Sequence, residues 1–322
     1  MAEKISKIEI LDIEKTIGKK LLQDYIQIIQ NKVTNTLTTL NKKSFKNITD
    51  DGVGKTKKNG IEISLLEIDN INLSTITWRV LLFLSQKLND NFNKYSCDLE
   101  NQDKLRTVSL TVKEYAQLCD MKSLTDARNQ LIEAVQAISR IRVSFKEPIY
   151  ENGKIQSYKG NEMPLVGNVI TILDRKQVLK DLEAFKFSGD FINYMLRKRY
   201  VLGVPKGIFS LNNKKNPNAF YFGTKILEHM RINKKEKGEK VILGVQTLLA
   251  STPEIMPYEE IKVKGKVYEK IIAPFKRDMN ELVNKGIIKE WNFCNAKGKP
   301  LDAEQKQMKT YEIFKKLYIE CE

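Results

Sequence analysis

The sequence predicts an α+β chain, predominantly helical, in which one unit of helices and strands occurs twice after an N-terminal helical arm. In the first unit, the β-prone run Val108–Leu110 leads into Thr111-Val112-Lys113-Glu114, whose threonine and glutamate have the spacing of a capping box that begins a helix. Ser123 then caps a longer helix, Leu124–Ile138. Short helix, turn, longer helix and strands is the order of a helix-turn-helix with a β-wing, so the predicted fold is two tandem winged-helix domains.

The longer helix of the first unit is predicted from its apolar spacing. Its core face is expected to comprise Leu124, Ala127, Leu131, Ala134, Val135 and Ile138. The alternation in Arg140–Phe145 predicts a strand, and Asn152-Gly153 between two extended runs predicts a hairpin that serves as the wing. Val166–Leu173 is predicted to be another strand and Asp174–Phe187 a connecting helix.

The same order recurs in the second half of the chain without obvious residue identity. A helix is predicted over Lys266–Lys285, with Gly286 as its C-terminal cap and a kink at Pro274, which removes a backbone donor. The other predicted elements are a strand at Val241–Leu243, a short helix at Val245–Ser251, a strand at Ile287–Phe293, a basic wing beginning at Asn295–Lys299 and a last strand at Tyr311–Cys321.

Four segments follow from these patterns. Residues 1–41 are predicted to form the helical arm, because Leu22, Ile26, Ile29, Val33 and Leu40 step at nearly heptad spacing; the stripe fits a helix docked on its own chain or a short coiled-coil seam. The polar, glycine-punctuated residues 42–60 predict a flexible basic linker. The first winged-helix domain is then expected at 61–188 and the second at 189–322.

The charge of the chain indicates its class of partner. Across 322 residues, 55 Lys and Arg face 40 Asp and Glu, a formal net charge of +15. Such an excess favours nucleic acid, with an anionic membrane surface as the second reading and a merely solvated basic surface as the third. The sequence has no apolar run of membrane-spanning length and no signal-peptide pattern at its start, so we expect a cytoplasmic protein without a membrane partner.

Catalytic and metal-binding patterns are sparse. The four cysteines are far apart in sequence, which argues against a zinc site or a disulfide framework and fits a reducing compartment. The single histidine, His229, cannot form a paired-histidine metal site, and no marked partners would make it part of a catalytic triad. We therefore expect neither an enzyme nor a cofactor.

Candidate DNA-binding residues lie at the start of each long helix and on each wing. Arginine can read guanine, and asparagine or glutamine can read adenine, through paired hydrogen bonds in the major groove, while lysine and serine can contact phosphate. In the first unit the candidates are Lys122, Ser123, Thr125, Arg128, Asn129 and Gln130, with Lys146, Lys154 and Lys159 on the wing. In the second unit they are Lys266, Tyr268, Lys270, Lys276 and Arg277, with Lys297 and Lys299 on the wing.

From about Ile61 to Glu322 the chain resembles the plasmid replication initiators built from two winged-helix domains. The resemblance is carried by Val108-Ser109-Leu110-Thr111 through Ile138 in the first domain. In the second it is carried by Val241–Thr247 and by Ile271-Ile272-Ala273-Pro274-Phe275 through Trp291. It implies sequence-specific binding to repeated sites of a double-stranded origin, with the two domains reading successive major grooves. It also implies recruitment of host helicase or initiator proteins and a possible homodimer.

Two other functions remain open at the level of sequence. A winged-helix transcriptional regulator would carry the same folds, and it would be distinguished by a lone inverted repeat as its target instead of tandem direct repeats. A nucleic-acid-processing enzyme, either a nuclease or a primase, would be revealed by strand cleavage or nucleotide incorporation with a divalent metal ion.

Overall fold

The computed structural model describes residues 25–45, 47–71, 73–95, 99–151, 154–173, 179–233, 240–262, 266–303, 305 and 310–322. The chain divides into two compact units. The N-terminal unit comprises residues 28–200, and the C-terminal unit comprises residues 201–322 together with Tyr25–Gln27 of the described chain. The predicted boundary between the two winged-helix domains, 188/189, lies twelve residues before the point at which the contacts of the chain divide.

The N-terminal unit contains a helix-turn-helix with a three-stranded sheet. Its strands follow the spatial order β5-β9-β8, in which β9 is antiparallel to both neighbours. Trp78 and Leu131 are among the fully buried side chains where the helix Thr75–Lys94 packs against the helix Leu124–Ser139. The elements are α2 (Thr75–Lys94), β5 (Thr107–Thr111), α4 (Val112–Leu118), α5 (Leu124–Ser139), β8 (Val166–Leu173) and β9 (Leu179–Phe187).

A second, five-stranded antiparallel sheet has the order β2-β3-β4-β6-β7. Its first three strands precede α2 in the chain, and β6 and β7 lie between α5 and β8. Its strands are β2 (Asn47–Ile48), β3 (Gly54–Lys58), β4 (Ile61–Leu65), β6 (Ile141–Glu151) and β7 (Lys154–Pro164). The hairpin predicted at Asn152-Gly153 therefore exists, with Glu151 opposite Lys154, although its two central residues lie outside the described residues. It belongs to this five-stranded sheet, whereas the hairpin with the connectivity of a wing is β8–β9.

Three N-terminal predictions are corrected by these strands. Part of the predicted linker, 42–60, is β2 and β3, because β3 is paired along its full length with β4. The predicted helical arm, 1–41, contains a strand, β1 (Tyr25–Gln30), before the short helix α1 (Lys32–Leu37), and residues 1–24 lie outside the description. The predicted helix over 174–187 is the strand β9 from Leu179 onward, where pairing with β5 and β8 outweighs the local helix propensity.

Two helices and three 3-10 turns complete the described part of the N-terminal unit. Asn31 caps α1 in a reciprocal capping box with Thr34, and Ser188 caps the helix that follows β9. These elements are α3 (Gln102–Arg106) and α6 (Gly189–Lys198), with 3-10 turns at Lys42–Ser44, Ile68–Asn70 and Leu99–Asn101. At the start of the C-terminal unit, β10 (Tyr200–Pro205) pairs with β1, whose first three residues belong to the same unit.

The C-terminal unit repeats the winged-helix order. Its three strands follow the order β11-β13-β12, the same connectivity as β5-β9-β8 in the first unit. Phe275 and Phe314 are fully buried and pack edge to face in its core. The elements are a 3-10 turn (Lys206–Ser210), α7 (Ala219–Ile232), β11 (Val241–Gly244), α8 (Val245–Ser251), α9 (Tyr258–Lys262), a π-helical turn (Tyr268–Ile272), α10 (Ala273–Asn284), β12 (Trp291–Cys294), α11 (Tyr311–Lys315) and β13 (Tyr318–Cys321).

Two predicted strands of this unit are shorter than expected. The strand predicted at Ile287–Phe293 begins only at Trp291, because Ile287 and Ile288 bond back to the end of α10. The strand predicted at Tyr311–Cys321 begins only at Tyr318. Thr310 caps α11 instead, and this turn of helix precedes the strand. Gly286 has a φ of +63°, as its predicted role of C-terminal cap requires.

The irregularity predicted at Pro274 is a π-helical turn directly before it. Proline has no N–H to donate to the carbonyl of Lys270, so the α-helical bonding pattern is interrupted at this point. The backbone adopts wider hydrogen bonds over Tyr268–Ile272, and the N–H of Ala273 donates to the carbonyl of Tyr268. Such turns inside helices commonly mark a functional position.

The capping box at the start of α4 gives a direct test of how the sequence sets the fold. Thr111 Oγ1 accepts from the N–H of Glu114 at 3.0 Å, and the N–H of Thr111 donates to Glu114 Oε2 at 2.9 Å. We expect Thr111→Ala to lower the free energy of unfolding by about 1 kcal/mol, because one N–H of the first turn loses its partner. Urea denaturation measures this, with Ser109→Ala on the same strand as a control that should change the free energy by under about 0.5 kcal/mol. Equal effects of the two variants would contradict the prediction.

Candidate nucleic-acid interface

The first candidate surface is the outer face of α5, on the first turns of the helix. Lys122, Thr125 and Asn129 are exposed there, as is Asp126. Ser123 Oγ caps the helix by accepting from the N–H of Asp126 at 3.1 Å, and its hydroxyl hydrogen remains available to a phosphate oxygen. The structure thus brings together four of the six candidates predicted for this helix.

The other two candidates, Arg128 and Gln130, flank this face and are half-buried. Gln130 Oε1 accepts a hydrogen bond of 3.2 Å from the hydroxyl of the buried Tyr115. Burial raises the pKa of Tyr115, so its hydroxyl stays protonated and able to donate. Arg128 forms no ion pair with any residue that the structure describes. Gln130 therefore has a structural partner, while Arg128 remains available to an external acceptor.

Leu124 is a position that sequence reasoning placed wrongly. Helical spacing puts it on the core face, but its side chain is 52% exposed. The first buried residue of α5 is Ala127, so the helix extends one turn beyond the core against which it packs. Helical spacing alone cannot show where the packing partner of a helix ends.

The three lysines predicted on the first wing lie on the β6–β7 hairpin. Lys146 pairs with Gly160, and Lys159 pairs with Glu147. Both lysine side chains are exposed; for Lys154 only the backbone is described, opposite Glu151. Since β4 pairs with β6 only as far as Phe145, the hairpin continues beyond the five-stranded part as a two-stranded ribbon. These lysines are therefore separate from the β8–β9 hairpin, which occupies the wing position.

The second candidate surface is formed by the π-helical turn and the start of α10. Lys266, Tyr268 and Lys270 are exposed, and Lys266 lies 3.6 Å from Glu269. The Lys276 ammonium lies 5.9 Å from the centre of the Tyr268 ring and 5.7 Å from that of Phe293, a cation–π arrangement. Four of the five candidates predicted on this helix thus lie within about three helical turns.

Arg277, the fifth, is tied to a residue that sequence reasoning missed. Its Nε donates to Asp278 Oδ1 at 2.7 Å, and the Asp278 side chain is fully buried. Asp278 Oδ2 also accepts from the backbone N–H and the side-chain amide of Asn218, at 2.9 and 2.7 Å. This carboxylate therefore joins α10 to the start of α7. A signal was present, since Asp278 falls on the same helical face as Phe275, Met279 and Leu282.

The wing of the C-terminal unit begins with a tight turn that displays two lysines. Asn295 Oδ1 accepts from the N–H groups of Lys297 and Lys299 at 2.9 and 3.1 Å. Gly298 has a φ of +70°, which permits the turn. Both lysine side chains are exposed. The turn holds two positive charges close together without any ion pair to the described residues.

Residues 64–200 match the family model described as Initiator Replication protein, WH1. This segment is similar to initiator WH1 domains. It contains α2 and the whole helix-turn-helix, and the match confirms the predicted resemblance to replication initiators for this part of the chain. No curated protein matches the chain.

The fold comparison extends beyond that domain. The crystal structure of the Pi initiator protein in complex with iteron DNA is similar over 92% of this chain and 97% of its own, with 11% identity and a TM-score of 0.50. At this identity the similarity concerns the fold alone, and it confirms the predicted winged-helix architecture. A structure of domains 2 and 3 of RctB is similar over 91% of this chain and 96% of its own, at 8% identity and a TM-score of 0.47.

Within the residues that the structure describes, no group of three or more His, Cys, Asp or Glu side chains is placed to hold a metal ion. None of the described helices combines the length and the apolar character that crossing a bilayer requires.

Proposed function

We propose that this chain binds repeated sites in double-stranded DNA through α5 and α10 and thereby initiates replication of a plasmid or phage. The observation that carries the proposal is the initiator WH1 match over residues 64–200. This segment contains a helix-turn-helix whose second helix has an exposed Asn129 and an Arg128 that forms no ion pair with the described residues. The second helix of such a motif enters the major groove with its N-terminal residues against the base edges. The net charge of +15 adds the electrostatic part of the affinity.

The proposed division of labour follows from the chemistry of each group. Lys122, Lys270 and the two lysines of the C-terminal wing, Lys297 and Lys299, contact phosphate and fix the register of the protein on the duplex. Arg128 and Asn129 read base edges and supply sequence preference. We also propose that the protein is cytoplasmic, that it is not an enzyme, and that it recruits host helicase or initiator proteins to the bound origin.

The decisive experiment uses the DNA that flanks the gene. Footprinting with the purified protein should protect tandem direct repeats. The gene together with that DNA should allow a plasmid without its own origin to replicate. Protection of a lone inverted repeat with no replication would favour a transcriptional regulator. Strand cleavage or nucleotide incorporation with a divalent metal ion would favour an enzyme.

Salt dependence tests the phosphate contacts. If six or more phosphates are neutralised, the slope of log affinity against log salt concentration should be about −5 or steeper. Replacing both Lys297 and Lys299 with alanine should make that slope shallower by about two, because each lysine releases about one counterion.

Lys289→Ala is the matched control for that experiment, because Lys289 is exposed but pairs with Glu322 at 3.0 Å. It should change the slope by less than about one. A flat slope for the unmodified protein would contradict DNA binding by phosphate neutralisation. An unchanged slope in the double variant would remove this wing from the interface.

A further inference from the structure

Leu124 is a large apolar side chain at the N-terminal end of α5, the helix that we propose enters the major groove. It is the first residue of α5, directly after the Ser123 cap, and 52% of it is exposed. Its neighbours in sequence are polar and accessible: Lys122, Thr125 and Asp126 are all exposed. The folded unit gains little from a leucine here, since the first turn of α5 lies beyond the core.

Exposure alone does not make a site, because single apolar residues on a protein surface are common. Ile48 is 53% exposed on β2, and nothing in its position indicates a ligand. The position of Leu124 is different. It is the first residue of the second helix of a helix-turn-helix, whose N-terminal residues meet base edges, within the segment 64–200 that matches the WH1 model.

The floor of the major groove offers one apolar group, the C5-methyl of thymine. We propose that Leu124 contacts a thymine methyl in the DNA target and so selects a T·A pair at that position. This inference rests on the proposed function and deepens it, because it assigns a base preference to a residue without hydrogen-bonding groups. Asn129 and Thr125, on the same turns of the helix, supply polar contacts beside it.

Replacing thymine with uracil removes that methyl group and leaves the pairing edge unchanged. The probe is the duplex that the footprint defines, with each thymine replaced by uracil one position at a time. At one or two positions, the unmodified protein should bind the uracil duplex about three- to fivefold more weakly, as expected for the loss of one buried methyl group.

The Leu124→Ala variant should bind the thymine duplex more weakly by a similar factor. It should no longer distinguish uracil from thymine at those positions. Ile48→Ala removes an equally exposed aliphatic side chain elsewhere in the same unit and should keep the full discrimination. Because Leu124 is exposed, the thermal midpoint of Leu124→Ala should stay within about 2 °C of that of the unmodified protein.

The outcomes separate this inference from the proposed function. Specific binding without uracil sensitivity at any position, or with sensitivity that persists in Leu124→Ala, overturns the thymine contact and leaves the initiator proposal intact. Absence of specific binding to any flanking duplex overturns the initiator proposal itself. A loss of discrimination confined to Leu124→Ala supports the contact.

Discussion

Asp278→Ala is expected to lower the free energy of unfolding of the C-terminal unit by about 3–5 kcal/mol. The Asp278 carboxylate is fully buried and accepts three hydrogen bonds, two from Asn218 and one from Arg277. Alanine would leave the backbone N–H and the amide of Asn218 buried without that acceptor, and unsatisfied buried donors are costly. Urea denaturation followed by circular dichroism measures the total. Hydrogen exchange of the backbone amides of Ala219–Ile232 reports on the local stability of the C-terminal unit, which contains Asp278 and Asn218.

Two variants sharpen this test. Asp278→Asn keeps an oxygen acceptor of nearly the same shape and should cost less than alanine. Glu269→Ala removes an exposed carboxylate beside the same helix, 3.6 Å from Lys266, and should change stability by less than about 1 kcal/mol. If Asp278→Ala and Glu269→Ala had similar effects, the Asp278 network would not be a major support of this unit.

The helix-turn-helix was predictable because its signals are local. Thr111 and Ser123 begin α4 and α5 by satisfying N–H groups three residues ahead, so the sequence around each residue contains its own evidence. The Asn152-Gly153 hairpin was predictable for the same reason. Which sheet that hairpin joins is decided by β4, about 80 residues earlier in the chain, and no local pattern contains that information.

The errors share this non-local cause. Gly54–Lys58 is polar and lysine-rich, but as β3 it pairs along its full length with β4. The segment Leu179–Phe187 alternates too weakly to show that it is the central strand of its sheet, between β5 and β8. Gln130 has the side-chain amide of a base-reading residue. Only the folded structure shows that its oxygen already accepts a hydrogen bond from the Tyr115 hydroxyl. Residue type predicted the class of contact, whereas packing decided which residues remain free to make it.

Simultaneous replacement of Arg128 and Asn129 by alanine should reduce specific DNA affinity by on the order of 10²–10⁴-fold, since each paired contact to a base edge contributes about 1–3 kcal/mol. The two residues differ in exposure: Asn129 is on the outer face of α5, and Arg128 is half-buried beside it without an ion pair to the described residues. Non-specific affinity should fall far less, because most phosphate contacts remain. The measurement is the ratio of affinities for the footprinted repeat and for a scrambled duplex.

The matched control removes one cation and one amide from the preceding helix. Lys113 and Gln117 are both exposed on α4, so the Lys113→Ala, Gln117→Ala variant has the same change in charge as the first pair. Because the first helix of the motif crosses the DNA backbone, this control should weaken binding to both duplexes alike and leave the ratio within about twofold. If the Arg128 and Asn129 replacements also left the ratio unchanged, sequence choice would have to come from a surface other than α5. In that case the protein would have to read DNA through α10 and its wing, or through the shape of the DNA.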